Sequence, residues 1–229
     1  MTTTDPAHIH VIIAAYNEGS VIAEVVGDVR RAGYPVVVVD DGSKDRTALA
    51  AEAAGAVVLR HPFNLGQGAA LQSGIDFALS QGAEVIVTFD ADGQHRPADI
   101  SRLAGALSEE QADFALGSRF LEESSNIPRM RRVLLMAATA FTRLTTGLRL
   151  TDSHNGLRAM TRRGAAAIRL RQNRMAHASE LLAQIARSRL RHVERPVTVD
   201  YNAYSLAKGQ KTRDSFAILL DLVARALYR

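Results

Sequence analysis

Val85-Ile86-Val87-Thr88-Phe89 carries no charge and runs straight into Asp90-Ala91-Asp92-Gly93-Gln94-His95. A run this apolar suits a strand buried on both faces, as in a parallel sheet covered by helices. Comparable runs stand at residues 8–15, 36–39, 56–60 and 113–116. Between them the spacing predicts helices: about 18–32, with Val21, Ile22, Val25, Val26 and Val29 on one face, then 46–54, 69–79 and 97–107. Gly33-Tyr34-Pro35 breaks the first helix and Gly55 caps the second. Strand and helix alternate throughout, which predicts an α/β fold: a doubly wound, mostly parallel sheet with helices on both faces.

Open sheets of this kind bind ligands beyond the carboxyl ends of their strands. Three polar clusters fall there: Tyr16-Asn17-Glu18, Asp40-Asp41 and the Asp90/Asp92 pair. Carboxylate oxygens suit hard divalent cations, and Mg²⁺ takes one or two of them beside phosphate and water. A D-x-D after a buried strand is therefore a platform for a metal–diphosphate, or else a turn with two solvated acids. Asn64-Leu65-Gly66-Gln67-Gly68 reads either as a loop offering backbone N–H groups to phosphate or as a helix-entry turn. It lacks the P-loop ending and the G-x-G-x-x-G spacing. Asp41 reads as a turn-former.

The second half differs in charge. Residues 1–118 hold 7 basic and 16 acidic side chains, residues 119–229 hold 21 and 8, and 25 of the 28 basic residues are Arg. Arg suits phosphate, and a basic half also suits an anionic membrane surface. Few aromatics interleave the basic residues and no nucleic-acid motif is present, which argues against a nucleic-acid partner. The absence of cysteine excludes disulfides and thiolate chemistry. No apolar run reaches the ~20 residues of a membrane span, and no signal-peptide pattern is visible, so a cytoplasmic location is expected. Residues 122–128 read as a loop. A helix then begins at Arg129, with an uncharged centre from Val133 to Thr142 suited to lying in an interface or packing on the core. Residues 151–158 read as a polar loop, 162–170 and 177–189 as helices and 193–201 as a strand. Residues 213–229 form an amphipathic helix with Phe216, Leu219, Leu220, Val223 and Leu227 on one face. The chain is read as one domain: a nucleotide- and metal-binding half (1–118), an acceptor half (119–212) and the C-terminal helix (213–229).

Taken in order, Ala14-Ala15-Tyr16-Asn17-Glu18, Val39-Asp40-Asp41-Gly42-Ser43-Lys44-Asp45, Asn64-Leu65-Gly66-Gln67-Gly68, Asp90-Ala91-Asp92-Gly93-Gln94-His95, Gly117-Ser118-Arg119, Asp152-Ser153-His154-Asn155-Gly156-Leu157-Arg158 and Lys208-Gly209-Gln210 resemble the family 2 glycosyltransferases of the GT-A fold. The resemblance is greatest to the polyprenyl-phosphate branch, which includes dolichol-phosphate mannose synthase. It departs from that pattern at Ala14, where Pro is usual, at Gln67, where Lys is usual, and at Leu157, where Phe is frequent. It also lacks the C-terminal membrane helices of many relatives.

The resemblance implies that Tyr16, Glu18 and Asp40 hold the nucleoside, and that Asp90, Asp92 and Gln94 hold Mg²⁺ or Mn²⁺ and the diphosphate. It implies that Arg119, Arg132 and Lys208 surround donor and acceptor phosphates. The implied reaction is inverting transfer from a UDP- or GDP-sugar to a polyprenyl phosphate, on the inner face of the membrane. A saccharide hydroxyl acceptor requires a base, with Asp152 the first candidate and His154 the second. A non-catalytic nucleotide-sugar-binding subunit is the alternative from another class. The apolar helix faces suit either a membrane surface or a homodimer interface.

Overall fold

The structure, a computed structural model, describes residues 4–122, 127, 129–172 and 176–200. Among the described residues seven strands form one sheet: β1 (Ile9–Ala15), β2 (Val36–Asp40), β3 (Val57–Arg60), β4 (Val85–Asp90), β5 (Phe114–Ser118), β6 (Arg158–Thr161) and β7 (His192–Pro196). Their order is β3-β2-β1-β4-β6-β5-β7. β1 to β4 are mutually parallel, β5 and β7 are parallel, and only β6 runs antiparallel, between β4 and β5. The expected doubly wound, mostly parallel sheet is the one observed.

The sheet is covered on both faces. On one, α1 (Ile22–Arg31), α2 (Thr47–Ala53) and α4 (Ala98–Glu109) bury Ile22, Val26, Val29, Ala51, Ile100 and Leu103 against Val11, Val38 and Val87. On the other, α3 (Gln67–Ser80), α6 (Arg162–Ala166) and α7 (Ala176–Ser188) bury Leu71, Ile75, Leu181 and Ile185 against Ile12, Ile86, Leu116 and Met160. Burial on both faces explains why β2 is apolar up to its final Asp. The edge strand β3 is only partly buried.

The polar stretch after Thr151 ends in a strand that periodicity does not reveal: β6 is only Arg-Ala-Met-Thr. The helix expected over 162–170 stops at Ala166, and the strand expected over 193–201 stops at Pro196, followed by an isolated bridge between His95 and Val199. α5 (Arg129–Thr146) packs partly on α7 and buries Thr139 and Thr142. Its opposite side exposes Met130, Val133, Met136 and Leu144. Lys208 and the helix expected at 213–229 lie outside the described residues.

Candidate functional site

The carboxyl ends of β1, β2 and β4 converge as their topology requires, and the connecting loops are knitted together. Asn17 N–H donates to Ser43 Oγ (2.8 Å), Lys44 N–H to Asn17 Oδ1 (2.9 Å), Glu18 N–H to Thr47 Oγ1 (2.8 Å) and Gly19 N–H to Asp45 Oδ2 (3.0 Å). The polar residues after β2 thus hold the loop after β1, and Tyr16 is left 41% exposed at the rim. Asp40 is buried, its Oδ1 accepting from Ser43 N–H (3.0 Å).

Asp41 is a turn-former with a specific task. Its carboxylate accepts from Leu65 N–H (2.9 Å), Gly66 N–H (2.7 Å) and His61 Nδ1 (2.7 Å). Two of the backbone donors that the glycine loop offered to phosphate are therefore engaged internally, and the helix-entry reading of residues 64–68 prevails. Gly42, at φ 74°, lies against the Phe63–Asn64 backbone, where a Cβ would come within 2.5–2.7 Å.

A cavity of about 440 Å³ opens beside these loops. Tyr16, Glu18, Asp41, Asn64 and Gln67 line it from the loops after β1, β2 and β3 and the start of α3, Asp90 and Asp92 from the end of β4, and His154, Gly156, Arg158 and His177 from the second half of the chain. Its size is typical of small-ligand sites. Asp90 is fixed there by two contacts. His95, itself buried, hydrogen-bonds Asp90 Oδ2 through Nε2 (2.9 Å). Nε2 faces a carboxylate, which can only accept, so Nε2 is the donor there, while Nδ1 is buried with no hydrogen-bond partner among the described residues. On its other side the Asp90 carboxylate lies against Gly156, where a Cβ would collide with both oxygens. Gly156 in turn accepts through its carbonyl from Thr88 Oγ1 (2.7 Å).

Burial pushes the Asp90 carboxyl up, but the His95 hydrogen bond and the Arg158 charge outweigh it and hold it below the usual carboxylate range. Asp92 behaves oppositely: burial and the neighbouring Asp90 charge push it up to about 6. Two crowded carboxylates of this kind gain from a cation between them. The oxygen donor set fits Mg²⁺ or Mn²⁺ completed by phosphate and water. Among the described residues no group of three or more His, Cys, Asp or Glu side chains encloses a metal unaided. Gln94 does not line the cavity; its N–H donates to Asp92 Oδ1 (3.1 Å) and its carbonyl accepts from Asp200 N–H (2.9 Å).

Arg119 and Asp152 are absent from the cavity wall. They form a buried pair, with Arg119 Nε 2.6 Å and Nη2 2.8 Å from the two carboxylate oxygens and Arg119 N–H 3.2 Å from Oδ2. His154 N–H also donates to Asp152 Oδ1 (3.1 Å). Burial opposes ionisation of Asp152, but the Arg119 charge and these hydrogen bonds hold its carboxyl below the usual range. The expected base is thus engaged on both oxygens, as is the expected phosphate arginine. Glu194 anchors the same loop, accepting from Thr151 N–H (2.8 Å) and Asp152 N–H (3.2 Å). Arg132 is exposed, its guanidinium 5.9 Å from the Phe120 ring centroid.

His154, the second candidate base, does line the cavity; burial, opposed by Asp152 and aided by the Arg158 charge, lowers its pKa to about 4. Glu180 accepts from Arg171 N–H (2.9 Å) and Gln172 N–H (2.8 Å), and so organises the loop before α7. Sequence reasoning assigned no role to Arg158 or His177, both buried and both on the cavity wall. The signal available for Arg158 was its place at the end of the Asp152–Arg158 motif.

The chain matches the model of glycosyl transferase family 2 over residues 10–169. It is 36% identical over 225 residues to an uncharacterised protein of Methanocaldococcus jannaschii, covering 96% of this chain and 93% of that one. It is 32% identical over 237 residues to a UDP-N-acetylglucosamine–dolichyl-phosphate N-acetylglucosaminyltransferase of Methanococcus voltae, covering 94% of each. Among solved structures, glucosyl-3-phosphoglycerate synthase of Mycobacterium tuberculosis, crystallised with Mn²⁺, uridine diphosphate and phosphoglyceric acid, superposes with a TM-score of 0.68. That match is 22% identical and covers 93% of this chain and 77% of the other, a likeness of fold.

Proposed function

Because the chain belongs to glycosyl transferase family 2, we propose that it moves a sugar from a nucleoside-diphosphate sugar to a polyprenyl phosphate at a membrane surface. The observation that carries the reading is the Asp90/Asp92 pair on the wall of a cavity that Tyr16 and Glu18 also line. The nucleoside lies at the Tyr16–Glu18 end, and Asp90 and Asp92 hold Mg²⁺ or Mn²⁺ with the diphosphate. When bound, the cation neutralises charge that develops on the departing diphosphate. The divalent metals and uridine diphosphate in structures of the same fold support that assignment.

The reaction is a single displacement with inversion. An acceptor oxygen bonds to the anomeric carbon as the bond to the diphosphate oxygen breaks, and the nucleoside diphosphate leaves with that electron pair. A phosphate acceptor is already anionic and needs no base, whereas a sugar hydroxyl does. Asp152 is tied up by Arg119 and His154 N–H, which favours the phosphate acceptor. The dolichyl- and polyprenyl-phosphate substrates named for several relatives favour it too.

Access to a lipid fits the surface. No helix among the described residues is long and apolar enough to cross a membrane. On α5, Met130, Val133 and Met136 are 67%, 62% and 57% exposed, next to Arg132. An apolar face beside basic residues binds reversibly to anionic bilayers. Lys208, which the resemblance places beside the phosphates, lies outside the described residues.

Thermal unfolding with a panel of nucleotide sugars tests the reading. A true donor raises the midpoint in the presence of Mn²⁺ and does so less with EDTA, since binding to the native state stabilises it by RT ln(1 + [L]/Kd). No shift with any UDP- or GDP-sugar contradicts it.

A further inference from the structure

Arg158 is 4% exposed, yet its guanidinium has no hydrogen bond to any described residue. The Asp90 and Asp152 charges favour its charged form and the Arg119 charge opposes it. A guanidinium carries five N–H donors, and a buried cation whose donors lack acceptors is costly to a fold. Arg158 lines the cavity, so its donors face the space a ligand enters.

The sheet order says which part of a ligand arrives there. β1, β4 and β6 are consecutive neighbours. β1 leads to Tyr16 and Glu18, β4 ends in Asp90, and β6 begins with Arg158. The register sets Arg158 opposite Thr88, two residues before Asp90 and on the same face of the sheet. That face is roofed by α3 and α7, which contribute Leu71, His177 and Ala178 to the cavity wall. The cavity therefore runs nucleoside end, carboxylate pair, Arg158. A nucleotide sugar is linear in the same sense: base and ribose, diphosphate, sugar. With the nucleoside at β1 and the diphosphate at β4, the sugar is the one portion left for the β6 end.

We propose that Arg158 is a donor-sugar contact, its guanidinium donating to ring-substituent oxygens of the sugar while Ala178 and the His177 ring, both from α7, supply a partly apolar wall. The inference rests on the donor assignment proposed for this cavity and adds to it the residue that distinguishes a sugar nucleotide from the bare diphosphate. Lys in this place keeps the charge but loses the planar fork, so Arg158→Lys isolates hydrogen-bond geometry from electrostatics.

The test compares affinities by titration calorimetry with Mn²⁺ for UDP, GDP, UDP-glucose, UDP-N-acetylglucosamine and GDP-mannose. In the unaltered protein one sugar nucleotide binds more tightly than its own diphosphate. In Arg158→Lys that sugar nucleotide weakens roughly tenfold to a hundredfold, as for loss of hydrogen bonds from a charged donor, while the diphosphate changes less than about twofold. Equal weakening of both ligands assigns Arg158 to the phosphates or to structural support and overturns the proposal. Equal affinity of the unaltered protein for diphosphate and sugar nucleotide overturns it without any variant. Failure of every nucleotide to bind overturns this inference and the donor reading together, whereas diphosphate binding without a sugar effect overturns this inference alone.

Discussion

Replacing Asp152 by Ala removes the partner of a cation whose side chain is only 6% exposed, while Asp152 itself is fully enclosed. Arg119 then loses two side-chain hydrogen bonds at 2.6 and 2.8 Å, and the N–H groups of Arg119 and His154 lose their acceptor. Breaking such a buried pair from one side costs about 3–5 kcal/mol, because the remaining buried charge loses its bidentate carboxylate. For a chain of this size the melting temperature falls by about 2–4 °C per kcal/mol, so a drop of roughly 6–20 °C is expected. The double variant Arg119→Met, Asp152→Leu removes both charges and recovers much of the loss. Urea unfolding measures this through the midpoint at unchanged m value. The sign of the pH dependence follows from the depressed Asp152 pKa: its stabilisation is fully present above about pH 4 and is lost as pH falls through the lower folded value. Asp152→Asn that leaves stability within about 1 kcal/mol but abolishes transfer would refute this reasoning and restore Asp152 as a base.

Asp92→Asn is expected to abolish metal-dependent diphosphate binding while the circular dichroism spectrum and melting curve persist, since Asp92 stands at the cavity rather than in the core; unchanged binding in the presence of Mn²⁺ counts against the metal assignment. The His154 imidazole is expected to titrate near 4 by NMR. Its folded pKa lies below the unfolded value of about 6.5, so the unfolded chain binds the extra proton and stability declines as pH falls from there towards 4; a midpoint near 6.5 contradicts the desolvated placement on the cavity wall. Gly156→Ala drives a methyl group into the Asp90 carboxylate and is expected to lower Mn²⁺–diphosphate affinity at least about tenfold, a loss near 1.4 kcal/mol; calorimetry showing unaltered affinity excludes the clash. Flotation with anionic liposomes is expected to be salt-sensitive and to weaken in a Met130→Ser, Val133→Ser, Arg132→Glu variant; salt-independent or absent flotation assigns the α5 face to another partner.

The parallel half of the fold was legible because its strands are predominantly apolar runs ending in polar residues, a pattern that two covering layers of helices impose on β1, β2 and β4. β6 was not legible. It has four residues, starts with Arg, and exists because β4 and β5 leave a gap that an antiparallel strand fills. Asp90 and Asp92 were readable from their position after β4, and the structure places both on the cavity wall. The pairing of Arg119 with Asp152 joins residues 33 apart and is a tertiary event; sequence offered each as a reactive group and concealed that each occupies the other. Arg158 was hidden for a related reason, since a lone Arg is ordinarily a surface residue and its burial comes from the loops and helices that close around β6. Asp41 was recognised as a turn-former, but its partners, 20 to 25 residues downstream, became visible only with the loop after β3 in place.

The proposed reaction of this cavity delivers a sugar from a nucleotide to a lipid phosphate. Mass spectrometry of the lipid extract, after incubation with Mn²⁺, the donor selected by thermal shift and a polyprenyl phosphate in vesicles, tests it most directly. The account predicts a glycosyl polyprenyl monophosphate with inverted anomeric configuration, formed in step with nucleoside diphosphate and abolished by EDTA. A lipid fraction without added sugar, alongside a glycosylated soluble saccharide, contradicts it.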